Sequence, residues 1–368
     1  MPVGERLRDE RERLDLTQSE VAKRTGIGES SLSEFELGRR EPKLAQLQAL
    51  AKLYRRTFAY FLDEGGPAPE VVLWRQRPEP RVAADIESEF MQLCRQYHNL
   101  EVWCVERRPC ELPTIAGDAD TFDYRDAERL AYNVRAKLKL GDRPGQSLLP
   151  VLEEVCGVKL FYLSFEPSGT AASSVSETFG AAVLLNAQNV RWRRNFDLAH
   201  ELFHLLTWSI FRTPDIGDGI VASDREEKLA TCFASNLLMP ADATLLALQD
   251  AGRKGSILFA DLFDIARQFD VSVEALLWRI HFLYKRKEEE TKADIDRCKA
   301  MASFGQDREC SEPPRRPDRF VALAVKALRQ GQFSQGRFAE YMGISRREAM
   351  KIAEQEAHED EEVALPSA

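Results

Sequence analysis

Ala199-His200-Glu201-Leu202-Phe203-His204-Leu205-Leu206 decides how this chain is read. There are only five histidines, His98, His200, His204, His281 and His358, and two of them stand four apart here. On a helix, positions i and i+4 share a face, so both imidazoles can bind one ion. Glu201 sits one residue round and can reach a water at that ion. This is the metalloprotease arrangement. Phe196, Leu198, Phe203 and Leu206 would bury the helix and hold such a pair rigidly.

Zinc held by three protein ligands keeps a position open for water and lowers its pKa to about 7. Two histidines therefore need a third partner. Downstream, Ser223-Asp224-Arg225-Glu226-Glu227 leads into Leu229-Ala230-Thr231-Cys232-Phe233-Ala234, with Leu237-Leu238-Met239-Pro240 following. The apolar period predicts a helix stopped by Pro240. Glu227 can point inward from it, and Glu226 is the alternative. Upstream, Gly157–Leu163 and Gly180–Asn186 read as strands. An extended substrate could pair with the edge of 180–186. Helices are expected at about 84–107 and 124–140, and over most of 195–284.

The 368 residues are 44% apolar and 30% charged, with 20 Gly and 17 Pro. That suggests two or three domains and excludes a collagen, a wholly disordered chain and a disulfide scaffold. No apolar run nears the roughly 18–20 residues of a membrane span. The opening Met-Pro-Val-Gly-Glu-Arg runs straight into a charged amphipathic segment, so no signal peptide and no membrane partner are expected. Seven scattered cysteines without a CxxC pair suggest free thiols in a reducing cytoplasm. Fifty-one basic against 60 acidic residues give −9, so any DNA contact must be local.

The first 62 residues read as a helical bundle with Leu7, Leu14, Val21, Ile27, Leu32, Phe35, Leu47 and Leu50 inside. Thr17-Gln18-Ser19-Glu20 is a capping box, Gly26 ends the short helix it opens, and a second helix follows to Leu37. Leu16 to Ile27, then Leu32 to Pro42, resembles the phage-repressor (XRE) helix-turn-helix family. That resemblance puts Glu29, Ser30, Ser31, Ser33 and Glu34 toward a groove, with Gln18 and Arg39 or Arg40 on phosphates. Yet 12 Lys/Arg against 10 Asp/Glu in residues 1–62 leave only +2, and two carboxylates would face a polyanion. Docking to protein is the other use of such a module.

Asn186, Arg193-Arg194-Asn-Phe-Asp-Leu-Ala-His-Glu-Leu-Phe-His204, Glu227 and Leu237-Leu238-Met239-Pro240 together resemble the ImmA/IrrE family of zinc endopeptidases. Val271 to Ile280 is similar to that family's closing helix, and the likeness covers about 120–285. It implies His200, His204 and Glu227 as zinc ligands and Glu201 as general base. The family often carries a second Glu two residues after the third ligand; Leu229 stands there here. Arg279, His281 and Tyr284 are candidate oxyanion donors by proximity in sequence. The implied partner is a helix-turn-helix repressor, cut when a stress or nucleic-acid signal arrives, in the cytoplasm.

The expected fold is mainly α with a small β-sheet: an α+β zincin-like peptidase domain flanked by helical helix-turn-helix-type domains. The expected divisions are 1–66, a linker and helix at 67–118, the peptidase at 119–285, a linker at 286–318, a small helical unit at 319–355 and an acidic tail at 356–368. The small unit, with Gln335 to Arg347, resembles a second helix-turn-helix; Arg337, Arg346 and Arg347 give it the basic patch that the first unit lacks. Cys110 lies between Pro109 and Pro113, before the peptidase domain. A thiolate there could occupy the open zinc position, as in the prodomain inhibition of matrix metalloproteases, which it resembles.

Overall fold

The computed structural model describes all residues except 1, 15, 57, 63–70, 109–110, 114, 167–169, 213–221, 253–254, 303–311 and 359–368. Five helices open the chain: α1 (Val3–Arg13), α2 (Gln18–Thr25), α3 (Glu29–Glu36), α4 (Leu44–Leu53) and α5 (Phe58–Leu62). Thr17 accepts from the Glu20 amide, and Glu20 accepts from the Thr17 amide, as the capping box requires. Leu7, Val21, Leu32, Phe35, Leu47 and Leu50 form the expected small core.

The strand β1 (Leu73–Trp74) follows, then the long helix α6 (Pro80–Trp103) and α7 (Tyr124–Lys137). A single turn and α8 (Leu148–Pro150) lead to β2 (Lys159–Leu163), β3 (Ala171–Ser176) and β4 (Gly180–Asn186). The sheet order is β1-β3-β4-β2; β2 runs parallel to β4, and the other pairs are antiparallel. β4 is therefore central, with Val183 opposite Leu160 on one side and Ser173 on the other. This corrects the expectation that a substrate might use the edge of 180–186: both its edges are already paired.

The helical remainder is α9 (Arg191–Leu206), α10 (Trp208–Phe211), α11 (Asp224–Leu238), α12 (Ala241–Gly252), α13 (Phe259–Phe269), α14 (Val273–Tyr284) and α15 (Glu288–Ala302), then α16 (Asp318–Arg329), α17 (Gln335–Met342) and α18 (Arg346–His358). The residues expected to link 286–318 thus begin with a helix. Ile295 and Cys298 of α15 are buried in the main core, which gives that charge-rich segment an apolar stripe to anchor it.

The sheet is covered on both faces. Ala181, Val183 and Leu185 pack with α7, α9 and α11, while Ala182 and Leu184 pack with α6 and the C-terminal helices. Burial on two faces explains the unbroken apolar run of β4. The C-terminal unit is not a separate body: Phe320, Leu323 and Phe338 share a core with Phe90, Tyr97 and Phe161. Beneath it, Glu101 receives Arg319 at 2.6 Å and Lys159 at 2.9 Å, all three buried. α6 also meets the N-terminal bundle, where Arg13 donates to Ser88 at 3.1 Å. Among the described residues, no single helix is long and apolar enough to cross a membrane.

Candidate metal centre

α9 carries His200, Glu201 and His204 on its inner side, all essentially inaccessible. The helix is buried because β3 and β4 pack on one flank and α11 on the other. α11 is fixed at its start by Ser223, whose hydroxyl accepts from the Glu226 amide. That places two consecutive glutamates beside the two histidines. His200 Nε2 is 3.0 Å from Glu227 Oε2, and His204 Nε2 is 3.3 Å from Glu227 Oε1. The three side chains offer ligand atoms that all lie within 4.8 Å of one another.

Glu226 faces a different atom. It lies 2.8 Å from His204 Nδ1 and takes Arg212 Nη1 and Nη2 at 2.9 and 2.7 Å. Adjacent helical residues point about 100° apart, so Glu226 reaches the far side of the imidazole that Glu227 approaches from the front. A carboxylate on the second ring nitrogen is the usual orienting partner of a metal-binding histidine. Leu229 sits in the apolar core.

Burial sets the electrostatics. It pushes His200 down to about 3, which keeps that imidazole neutral and its lone pair available. Burial also opposes charge on His204, but the hydrogen bonds to Glu226 and Glu227 outweigh it and raise that ring to about 9. The same bonds, from His200 and His204, hold Glu227 down at about 2 against its own burial. Burial lifts Glu201 to about 7, near neutrality, where a carboxylate can both accept and return a proton. Ser173 of β3 is its polar neighbour.

The donor set fits zinc. His204 Nε2 and Glu227 Oε1 meet only each other, at 3.3 Å, and both carboxylate oxygens of Glu201 are buried without a hydrogen-bond partner among the described residues. Orphans of this kind are costly unless something satisfies them. Two imidazole nitrogens and one carboxylate are a ligand set that catalytic zinc uses.

The site opens on a cleft of about 650 Å³ lined by Arg75, Gln76, Gln188, Asn189, Trp192, Arg193 and Glu227. Arg75, which follows β1, was not singled out by sequence. Its Nη1 is 3.0 Å from Asp197 Oδ1 and its Nε 3.9 Å from Glu227 Oε2. Asp197 is fully buried one turn before His200 on α9, and Arg193 and Asn189 also donate to it. An arginine in a different segment, more than a hundred residues away, leaves no local spacing to notice.

The three expected oxyanion donors lie elsewhere. Arg279 Nε donates to Met239 O, at the opposite end of α11 from Glu227 and about 18 Å along it. His281 pairs with Thr291 and packs against Trp278 and Phe282, while Tyr284 is exposed. Cys110 lies outside the described residues. In the N-terminal bundle, Gln18 donates to Glu36 at 2.9 Å, so its side chain is engaged internally. Ser30, Arg39 and Arg40 are exposed, Ser31 and Ser33 half-buried, and Arg40 lies 3.5 Å from Glu34.

Residues 7–61 match the family model described as helix-turn-helix, and residues 153–281 match that of the IrrE N-terminal-like domain. The HTH-type transcriptional regulator ImmR of Bacillus subtilis (strain 168) is 36% identical over 64 residues, covering 17% of this chain and 50% of the relative. The chain thus spans about half the length of that relative. Among solved structures, ComR from S. thermophilus in complex with DNA and its signalling peptide ComS shows 14% identity over 89% of this chain and 99% of that chain, at a TM-score of 0.22. Apo ComR shows the same identity and coverage at 0.16. Residues 7–61 are thus a helix-turn-helix domain and residues 153–281 an IrrE N-terminal-like domain, joined in one chain.

Proposed function

We propose that the chain is a zinc-dependent, site-specific endopeptidase that cleaves a helix-turn-helix transcription repressor. Cleavage would answer a stress or nucleic-acid signal and de-repress a stress, mobile-element or antiviral operon. The observation that carries this reading is the convergence of His200 Nε2, His204 Nε2 and Glu227 beside a buried Glu201 with two unpartnered oxygens.

His200, His204 and Glu227 would hold the zinc, while Glu226 and Arg212 fix the His204 ring. When bound, zinc supplies Lewis-acid polarisation of the scissile carbonyl and lowers the pKa of water at the site. Glu201 takes the proton of the attacking water and passes it to the leaving amine. Arg75, held by Asp197 at the cleft, offers a fixed cation to the substrate backbone. Cys104, Cys232 and Cys298 are free thiols, which fits a cytoplasmic setting.

The test is incubation of the zinc-loaded protein with the repressor encoded beside it, with and without inducing conditions. The parent should cut at one site and Glu201→Gln should not. Zinc binding without cleavage under any inducing condition would favour a DNA-binding regulator whose zinc domain is a non-proteolytic sensor.

A further inference from the structure

α17, the turn after it and the first turns of α18 repeat the spacing of α2, its turn and α3. Gln18 and Gln335 each open an eight-residue helix. Thr17 and Ser334 cap those helices by accepting from the amides of Glu20 and Arg337. Gly26 and Gly343 end them in the left-handed region, at φ 73° and 64°, which glycine alone adopts without strain. The next helix begins three residues later in both, at Glu29 and at Arg346. Val21 and Phe338 occupy matching core positions, as do Leu32 and Ala349.

The two units differ in what their second helix shows to solvent. α3 exposes Glu29, Ser30 and Glu34; at the matching positions α18 exposes Arg346, Arg347 and Lys351. The acidic Glu348 is folded back in a capping box with Ser345, accepting its amide at 2.8 Å. Guanidinium nitrogens of Arg315 and Arg316 come within 3.3 Å of where a Cβ on Gly343 would lie, so two more cations flank the turn. Arg337 is held over the Trp103 and Tyr341 rings at the edge of the same surface. Residues 312–352 hold nine Lys/Arg against four Asp/Glu, in a chain of net −9.

We infer that α18 is a duplex-DNA-binding helix, a site distinct from the N-terminal helix-turn-helix and independent of the peptidase reading. The second helix of this motif enters the major groove by its N-terminal residues while the first lies across the backbone. Arg346, Arg347 and Lys351 stand at those N-terminal positions, and Arg315 and Arg337 flank them where phosphates would run. Cations there gain affinity by releasing counterions from the duplex. The unit is anchored to the rest of the chain, because Arg319 ties α16 to Glu101 of α6.

The test uses the full, zinc-loaded chain and a labelled random-sequence duplex of two to three helical turns, followed by anisotropy at several NaCl concentrations. The parent should bind at low salt, with affinity falling steeply as salt rises. Arg346→Ala/Arg347→Ala/Lys351→Ala should weaken binding at least about tenfold and flatten the logarithmic salt slope by about three. Arg346→Lys/Arg347→Lys should keep most of both, and zinc content and melting temperature should match the parent in each variant. A triple variant with parental affinity and slope overturns the proposal. So does a parent that ignores duplex DNA at low salt; retention of an acidic protein instead would make the patch a protein-docking surface.

Discussion

Glu226 Oε1 stands 2.8 Å from His204 Nδ1, on the side of the ring opposite the nitrogen that meets Glu227. Two neighbouring glutamates therefore do different work. One turns the imidazole and the other shares its lone-pair side. Arg212, bidentate on Glu226, keeps that carboxylate from swinging into the site.

Glu227→Ala should abolish stoichiometric zinc, whereas Glu226→Ala should only weaken zinc binding, by about 10–100-fold. Metal analysis after dialysis against a graded chelator separates the two. If the Glu226 variant alone lost the metal, the ligand and the orienting residue would be exchanged.

Glu201→Gln should retain one zinc per chain and the parental melting temperature while cleavage falls by about 10²–10⁴-fold or more, since an amide cannot accept the proton. Cleavage at the parental rate would end the general-base assignment.

Much of the centre was legible because it is local. His200, Glu201 and His204 sit on one helical turn, and Ser223 to Pro240 announces its own helix by cap, period and stop. The sequence also offered Glu227, with Glu226 as the alternative, and it is Glu227 whose carboxylate lies between the two histidines. What escaped reading was set by distant packing. β3 is Ala-Ala-Ser-Ser-Val-Ser, poor in β-formers and without apolar alternation; it is a strand because β1 and β4 flank it. α15 opens with Glu288-Glu289-Glu290 and looks solvated, yet Ile295 and Cys298 lock it to the core. Arg75 meets Asp197 only once the sheet has formed. Arg279 misled in the opposite sense: near the family's closing motif in sequence, it caps the far end of α11.

Arg75→Ala should leave zinc content unchanged and lower kcat/KM by roughly tenfold to a hundredfold, the value of one hydrogen bond from a charged donor, about 1.5–3 kcal/mol. Arg75→Lys should recover part of it, because the charge survives but the fork held by Asp197 does not. A variant that lost its zinc as well would place Arg75 among the groups that support the ligands rather than those that meet substrate.

Glu153 provides a pH test away from the metal. It is buried beneath the C-terminal unit, where Tyr97 donates to its Oε1 at 3.2 Å. Burial pushes its carboxyl up to about 7, against an ordinary value of 4.5. Between those two pH values the folded chain keeps a proton that the unfolded chain has released. The resulting stability is complete below about 4.5 and is lost as pH rises through 7. Its size is at most about 3 kcal/mol. Glu153→Gln carries a permanently neutral group of the same shape, so its urea midpoint should fall less than the parent's between pH 5.5 and 8. At pH 8 the variant should be the more stable of the two, and equal pH slopes in both proteins would mean that Glu153 is already ionised in the fold, with Arg319 outweighing its burial.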